Sequence, residues 1–245
     1  MTATLFGVPA SHPTLAAELM LRQKKIGYRR VDLAAGLHRG MLRALGYPGV
    51  TVPAVRLNGG RVQGTRAIAL ALDALVPETP LLPADPERRA AVEAAESWGD
   101  EVLQAVPRRL VWASLKRDHS TISSFLEGSR TGMPMPVASR AALPIIPLAA
   151  RLNKATDENV RRDLEALPGL IEHVDELIAE GTLGGAERNV ADYQIATSVS
   201  LLLTMDDLLP YIEGHPAEEH ARAIVERQPG RLAPALPAGW LPARA

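Results

Sequence analysis

Three short stretches hold the side chains best suited to chemistry. Ser11-His12-Pro13-Thr14 places a hydroxyl and an imidazole at the start of a helical run. A helix N-terminus carries unpaired N–H groups and a partial positive charge. A Ser there favours a bound anion such as a thiolate and adds a hydrogen bond to it. Lowering a thiol pKa by about two units stabilises its anion by about 2.7 kcal/mol, enough to make it mostly thiolate at neutral pH. The same Ser equally suits plain N-capping. A nucleophilic Ser–His pair is not expected, because sequence neighbours rarely have that geometry and no G-x-S-x-G elbow is present. Val52-Pro53 precedes a strand and reads as a cis or a trans proline. Gln63-Gly64-Thr65-Arg66-Ala67-Ile68 opens a helix whose first amides suit an anion, or simply an N-cap Thr with an exposed Arg.

Composition narrows the chemistry further. None of the 245 residues is Cys, so disulfides, thiolate nucleophiles and Cys-based metal sites are excluded. The six His are scattered without metal spacing, and no metal is expected. With 27 basic and 28 acidic residues, the chain lacks the basic surface that nucleic acid requires. The N-terminus does not read as a secretory signal, and the apolar stretch Ala141 to Ala150 is broken by Pro144 and Pro147. A cytoplasmic protein with no membrane partner is expected. Of the 27 basic residues, 23 are Arg and 4 are Lys, a bias of high-GC bacterial genomes.

The elements that position these residues divide the chain. Thr4–Val8 is a strand, and Thr14–Ile26 is a helix with Pro13 in its first turn, Leu15, Leu19 and Ile26 at helical spacing, and Gly27 as its end. Tyr28–Leu33 is a second strand, and 34–44 holds a short helix. Val50–Leu57 and Arg61–Gln63 form a hairpin through Asn58-Gly59-Gly60, and a helix runs from Gly64-Thr65 to about Leu75. Four prolines mark a linker over 77–86. Beyond it only helices are expected: Glu87–Lys116 kinked at Pro107, Ala138–Asn153, an amphipathic Asp157–Glu180, a buried Val190–Leu203 capped by Asn189 with Asp192, and His215–Arg227. Residues 229–245 form an irregular tail with a lone Trp240.

A βαβ-α-ββα unit, a proline linker and a helical remainder, with these three motifs, resemble the glutathione transferase superfamily. The resemblance implies an α/β thioredoxin-like N-terminal domain over 1–76, a linker over 77–86 and an all-α C-terminal helical domain over 87–228. It implies Ser11 as the catalytic residue, where redox relatives have Cys; with Ser there, a mixed disulfide with the ligand is excluded. It implies a cis Val52-Pro53 whose backbone pairs with a peptide-like ligand. Thr65 matches the Ser of a Glu-Ser-x-Ala-Ile motif that holds the γ-glutamyl carboxylate of glutathione, with Gly64 where the acid would be and Arg66 beside it.

The substrate pocket implied by the resemblance lies between the domains. Its candidates are His12, Trp98, Val102, Arg109 and Trp112, with Leu110 and Phe125. Trp98 and Trp112 share a helix face provided Pro107 does not rotate the register. Arg88-Arg89 and Arg108-Arg109 read as solvated faces, with Arg109 the one to reach an anionic ligand. The expectation is a detoxification-type glutathione S-transferase, a homodimer, adding glutathione or another small thiol to a hydrophobic electrophile. The alternative is a non-catalytic binding or interaction module of the same fold.

Overall fold

The computed structural model describes residues 2–243. Strands β1 (Ala3–Gly7), β2 (Tyr28–Asp32), β3 (Ala54–Leu57) and β4 (Gly60–Gln63) form one sheet in the order β2-β1-β3-β4. β1 and β2 are parallel, so their connection must cross over, and α1 (His12–Gln23) supplies the crossover. β3 returns antiparallel to β1 and pairs with β4 through Asn58-Gly59, both at positive φ. α2 (His38–Ala44) lies between β2 and β3, and α3 (Thr65–Leu75) follows β4. This is the thioredoxin-like order. Strand alternation sends Leu5 and Val55 to the α1–α3 face, and Phe6 and Ala54 to a smaller core with Leu42 and Tyr47.

α1 ends earlier than its sequence suggests. The terminator is not Gly27 but Lys25, at φ 53°, with the Ile26 N–H bonded to the Leu21 carbonyl at 3.0 Å. Its buried face is Ala16, Ala17, Met20 and Leu21, while Leu15 and Leu19 sit half-buried at its edge. The two alanines let the helix lie close against its neighbours.

The helices α4 (Pro86–Trp98), α5 (Ala105–Arg117), α6 (Met135–Ala142), α7 (Ile145–Leu152), α8 (Asp157–Ala179), α9 (Val190–Leu202) and α10 (Pro216–Ile224) complete the molecule. After β4 the described residues hold no strand, only an isolated bridge between Met205 and Leu232. The expected kink at Pro107 takes the form of a π-helical turn, Gly99–Leu103, just upstream. Pro107 has no N–H for the carbonyl of Leu103, so the regular ladder fails there. The run expected over 138–153 starts at Met135 and splits before Pro144 into α6 and α7. Every residue of α9 is buried. Asn189 accepts the N–H groups of Ala191 and Asp192, and the Asp192 carboxylate accepts those of Asn189 and Gly184, both at 2.8 Å.

The tail packs on this body. Asp207 accepts the N–H groups of Ala235 and Leu236, and the Trp240 ring lies between Arg117 and Arg161 at 4.9 and 5.4 Å. Its last two residues, Arg244 and Ala245, lie outside the described residues. Among the described residues no helix is long and apolar enough to cross a membrane.

One polar cluster ties α1, α3 and the linker together. The Lys24 side chain is fully buried; Nζ lies 2.7 Å from Asp73 and donates to the Val76 carbonyl at 2.6 Å. The Asp73 carboxylate also accepts the N–H groups of Leu81 and Leu82 at 2.8 and 3.0 Å. Removing the carboxylate leaves a buried ammonium without its counter-charge. Asp73→Ala is therefore expected to lower unfolding free energy by about 3–5 kcal/mol, read from urea denaturation. A loss below about 1 kcal/mol would contradict this account.

Candidate functional site

The N-terminus of α1 is set by close packing. A Cβ at Gly7 would lie 2.2 Å from Cγ2 of Thr14, so the first turn of α1 rests directly on the end of β1. Ala10, at φ 55°, swings the chain from the loop into the helix. Ser11 then becomes the N-cap. Its oxygen accepts from the Thr14 N–H at 3.3 Å and the Thr14 hydroxyl at 2.9 Å. With the Thr14 hydroxyl as donor, both lone pairs are engaged and the Ser11 proton is left to donate. The two readings of Ser11, cap and donor to an anion, are therefore compatible in one geometry.

His12 follows in the first turn and is 3% exposed. Burial, then the charge of Arg108, push its pKa down to about 3 against the raising effect of the Gln104 backbone. The imidazole is neutral at physiological pH. Its Nε2 is buried and has no hydrogen-bond partner.

A cavity of about 400 Å³ opens beside these residues. Such a volume suits a small organic ligand. Val8, Leu33 and Val52 wall one side, and Val111, Trp112 and Leu115 of α5 wall another, with Phe125 and helices α6 and α7 closing it. Phe125 is held by the tail: a Cβ at Gly230 would lie 2.4 Å from its ring. Gln228, two residues before, donates to the Ala10 carbonyl at 3.1 Å.

The structure divides the residues singled out in the sequence. Ser11, His12, Val52, Trp112 and Phe125 line this one cavity. Trp98, Val102, Leu110 and Arg109 do not. Trp98 packs edge-on against His173 with ring centroids 4.5 Å apart, Val102 is exposed, and Leu110 is core. Arg109 is held by Asp163 through two hydrogen bonds of 2.6 and 2.5 Å. The π-turn lies between Trp98 and Trp112 and rotates the register between them, so they share no face. Arg108, read from sequence as a solvated residue, lines the cavity instead. The available signal was its spacing: Arg108, Val111, Trp112 and Leu115 follow i, i+3, i+4, i+7.

The Val52-Pro53 bond is cis. Among the described residues the Val52 N–H and carbonyl have no hydrogen-bond partner, while the Pro53 carbonyl accepts from Gly64 at 2.9 Å. Pro53, Gly64, Thr65 and Arg66 are outside the cavity wall. Gly64 is the N-cap of α3 at φ 90°, so the first turn of α3 has no side-chain cap. Gln63 is committed to the Gly49 N–H and the Thr51 carbonyl at 2.8 and 2.7 Å. Arg66 turns to α4, bonding Ser97 at 3.1 Å and facing Glu96 at 3.4 Å.

Acid should loosen this structure through its buried histidines. His220 lies 3.3 Å from Asp192, but burial and Arg188 push its pKa down to about 4, so this contact is not an ion pair at neutral pH. His12 and His220 both titrate lower in the folded chain than the unfolded value near 6.5. Their contribution is complete above pH 6.5 and is lost as pH falls toward about 4 and about 3. Asp192, raised by burial, acts in the opposite sense. We expect the unfolding free energy from urea titration to fall between about pH 6.5 and about pH 4.5, by roughly 1 kcal/mol per pH unit for each histidine at full effect. His220→Asn should flatten the slope by about half. An unchanged slope would sink this assignment.

Comparison with known proteins places this geometry. Residues 5–80 match the family model described as glutathione S-transferase, N-terminal domain. The sequence has no match among curated proteins. Among solved structures, FzlA from C. crescentus is 18% identical with a TM-score of 0.60, covering 98% of this chain and 98% of that one. The beta-etherase LigF from Sphingobium sp. strain SYK-6 is 17% identical with a TM-score of 0.60, covering 92% and 100%. A glutathione S-transferase from Rhodospirillum rubrum F11 is 19% identical with a TM-score of 0.54, covering 91% and 84%. Residues 5–80 thus match a glutathione S-transferase N-terminal domain, and the whole chain is similar in fold to solved glutathione S-transferases.

Proposed function

We propose that the protein is a glutathione S-transferase-type enzyme that binds a small thiol, activates it as the thiolate and transfers it to an apolar electrophile. The observation that carries this reading is the apolar cavity opening against the start of α1, with Ser11 in its wall. The helix N-terminus and the Ser11 hydroxyl proton favour a sulfur anion. The unpaired backbone of Val52 suits the peptide part of the thiol, and the uncapped first turn of α3 at Thr65 suits its carboxylate. The thiol proton leaves to solvent. The sulfur lone pair forms the C–S bond, and the leaving group departs with its electron pair or, in an addition, the acceptor takes up a proton. Proximity in a water-poor cavity supplies the rest. A similar fold was solved with an oxidised analogue of such a ligand: the glutathione S-transferase from Methylobacterium radiotolerans, 15% identical with a TM-score of 0.55, holds glutathione sulfonate.

A thiol other than glutathione is the second reading, favoured by one feature. No acid stands at Gly64 to fix a γ-glutamyl ammonium, and Gln63 and Arg66 are committed elsewhere. We expect a homodimer in either case, tested by sedimentation.

Calorimetric titration with glutathione and with other bacterial thiols tests the reading directly. Binding of none of them would overturn it and leave a non-catalytic member of the fold. For a thiol that binds, Ser11→Ala should raise its pKa, followed by thiolate absorbance, by about one to two units. The lost N-cap should also lower stability by about 1 kcal/mol. An unchanged thiol pKa would remove Ser11 from the chemistry.

A further inference from the structure

We infer that the cavity is built for an apolar acid, with the carboxylate of the ligand held by Arg108 and its hydrocarbon body laid along α5. This takes the cavity to be the acceptor site of the reading above, and names the class of acceptor.

The first observation is an unanswered charge. Arg108 and Arg109 are neighbours on α5, yet Arg109 has the bidentate carboxylate of Asp163, while the Arg108 guanidinium has no hydrogen bond or ion pair among the described residues. Arg108 lines the cavity, and it is partly buried. Burial, then the charge of Arg109, press its pKa below the ordinary arginine value, and the charge of Asp100, which makes no ion pair with it, offsets only part of that pressure. A guanidinium stays charged in proteins, so this pressure cannot be relieved by losing the proton. An incoming anion relieves it.

The second observation is the composition of the wall. Among the described residues, no Asp or Glu lines the cavity; its only ionised groups are Arg108 and, at an exposed position, Arg39. Two further buried polar atoms have no hydrogen-bond partner, Nε2 of His12 and Nδ1 of His38. Both residues line the same space. Lowered pKa values, through burial and nearby arginines, keep both imidazoles neutral at physiological pH.

The third observation is the axis of the site. Arg108, Val111, Trp112 and Leu115 form one stripe along α5, with the cation at one end. From Arg108 to Leu115 the helix rises about 10 Å. Phe125 and Ile122 continue the apolar wall. A neutral hydrocarbon filling this space would strip water from Arg108 and return nothing. A carboxylate returns a charge-assisted, two-point hydrogen bond, which guanidinium geometry matches.

The test needs no thiol, so it is independent of the transferase reading. Calorimetry on the full chain would compare 4-phenylbutanoate, 4-phenylbutanamide and 4-phenylbutylamine, which share a body and differ in charge. The acid is expected to bind at least about tenfold more tightly than the amide, and the amine least. Arg108→Met keeps the aliphatic volume and should reduce the acid-over-amide preference to within about twofold, while Arg39→Met should retain it. Arg108→Met should also raise the melting temperature of the unliganded protein, since an unpaired partly buried cation is removed. Absence of acid preference in the unmodified chain overturns the proposal. So does a preference that survives Arg108→Met or is lost instead in Arg39→Met.

Discussion

The ammonium of Lys24 is buried at the C-terminal end of α1, and its charge has to be answered inside the protein. Asp73 answers it, and because the same carboxylate receives Leu81 and Leu82, the linker is tied to α1 and α3 at one point. One residue earlier, Gln23 bonds the Tyr193 hydroxyl and the Arg188 carbonyl, which ties α1 to the start of α9. At its other end α1 is seated on β1 by the contact of Gly7 with Thr14. A helix fixed at both ends cannot slide or roll. The position of Ser11 and His12 relative to α5 follows from that restraint, and the cavity exists because those two surfaces meet there.

The fold was legible in the sequence where local signals agreed with each other. The Asn58-Gly59 turn, the Asn189–Asp192 cap and the uniformly apolar α9 each specified their own geometry. The misread places are those decided by packing. Lys25 ends α1 through a left-handed residue that any sequence rule assigns to Gly27. Of the candidate site residues, only Ser11, His12, Val52, Trp112 and Phe125 line the cavity. Ser11, Val52 and Trp112 meet as their motifs suggest, but Trp98 does not, because a π-turn is a tertiary accommodation of Pro107 and Gly99 that leaves no periodic trace.

The adjacent arginines show how little sequence distance a functional distinction requires. On one helix, neighbours point about 100° apart. Arg109 finds Asp163 across the bundle, whereas Arg108 faces a wall without carboxylates. From sequence the pair reads as one charged patch. Only the placement of α8 and of the cavity separates a structural ion pair from a free cation.

The charge of the wall also bears on how two ligands coexist. With no Cys in the chain, the sulfur nucleophile of the proposed transfer has to come from one ligand, as an anion. If the second ligand is an acid, two negative charges share one cavity. At a separation of about 6 Å and an effective dielectric of about 20, they repel by about 3 kcal/mol. A carboxylate in the wall would add to that repulsion and push the thiol pKa up. A cation beside His12 lowers both costs at once. A lining without carboxylates among the described residues, with an unpaired and partly buried arginine, is therefore a condition under which a thiolate and an apolar acid can occupy neighbouring sites.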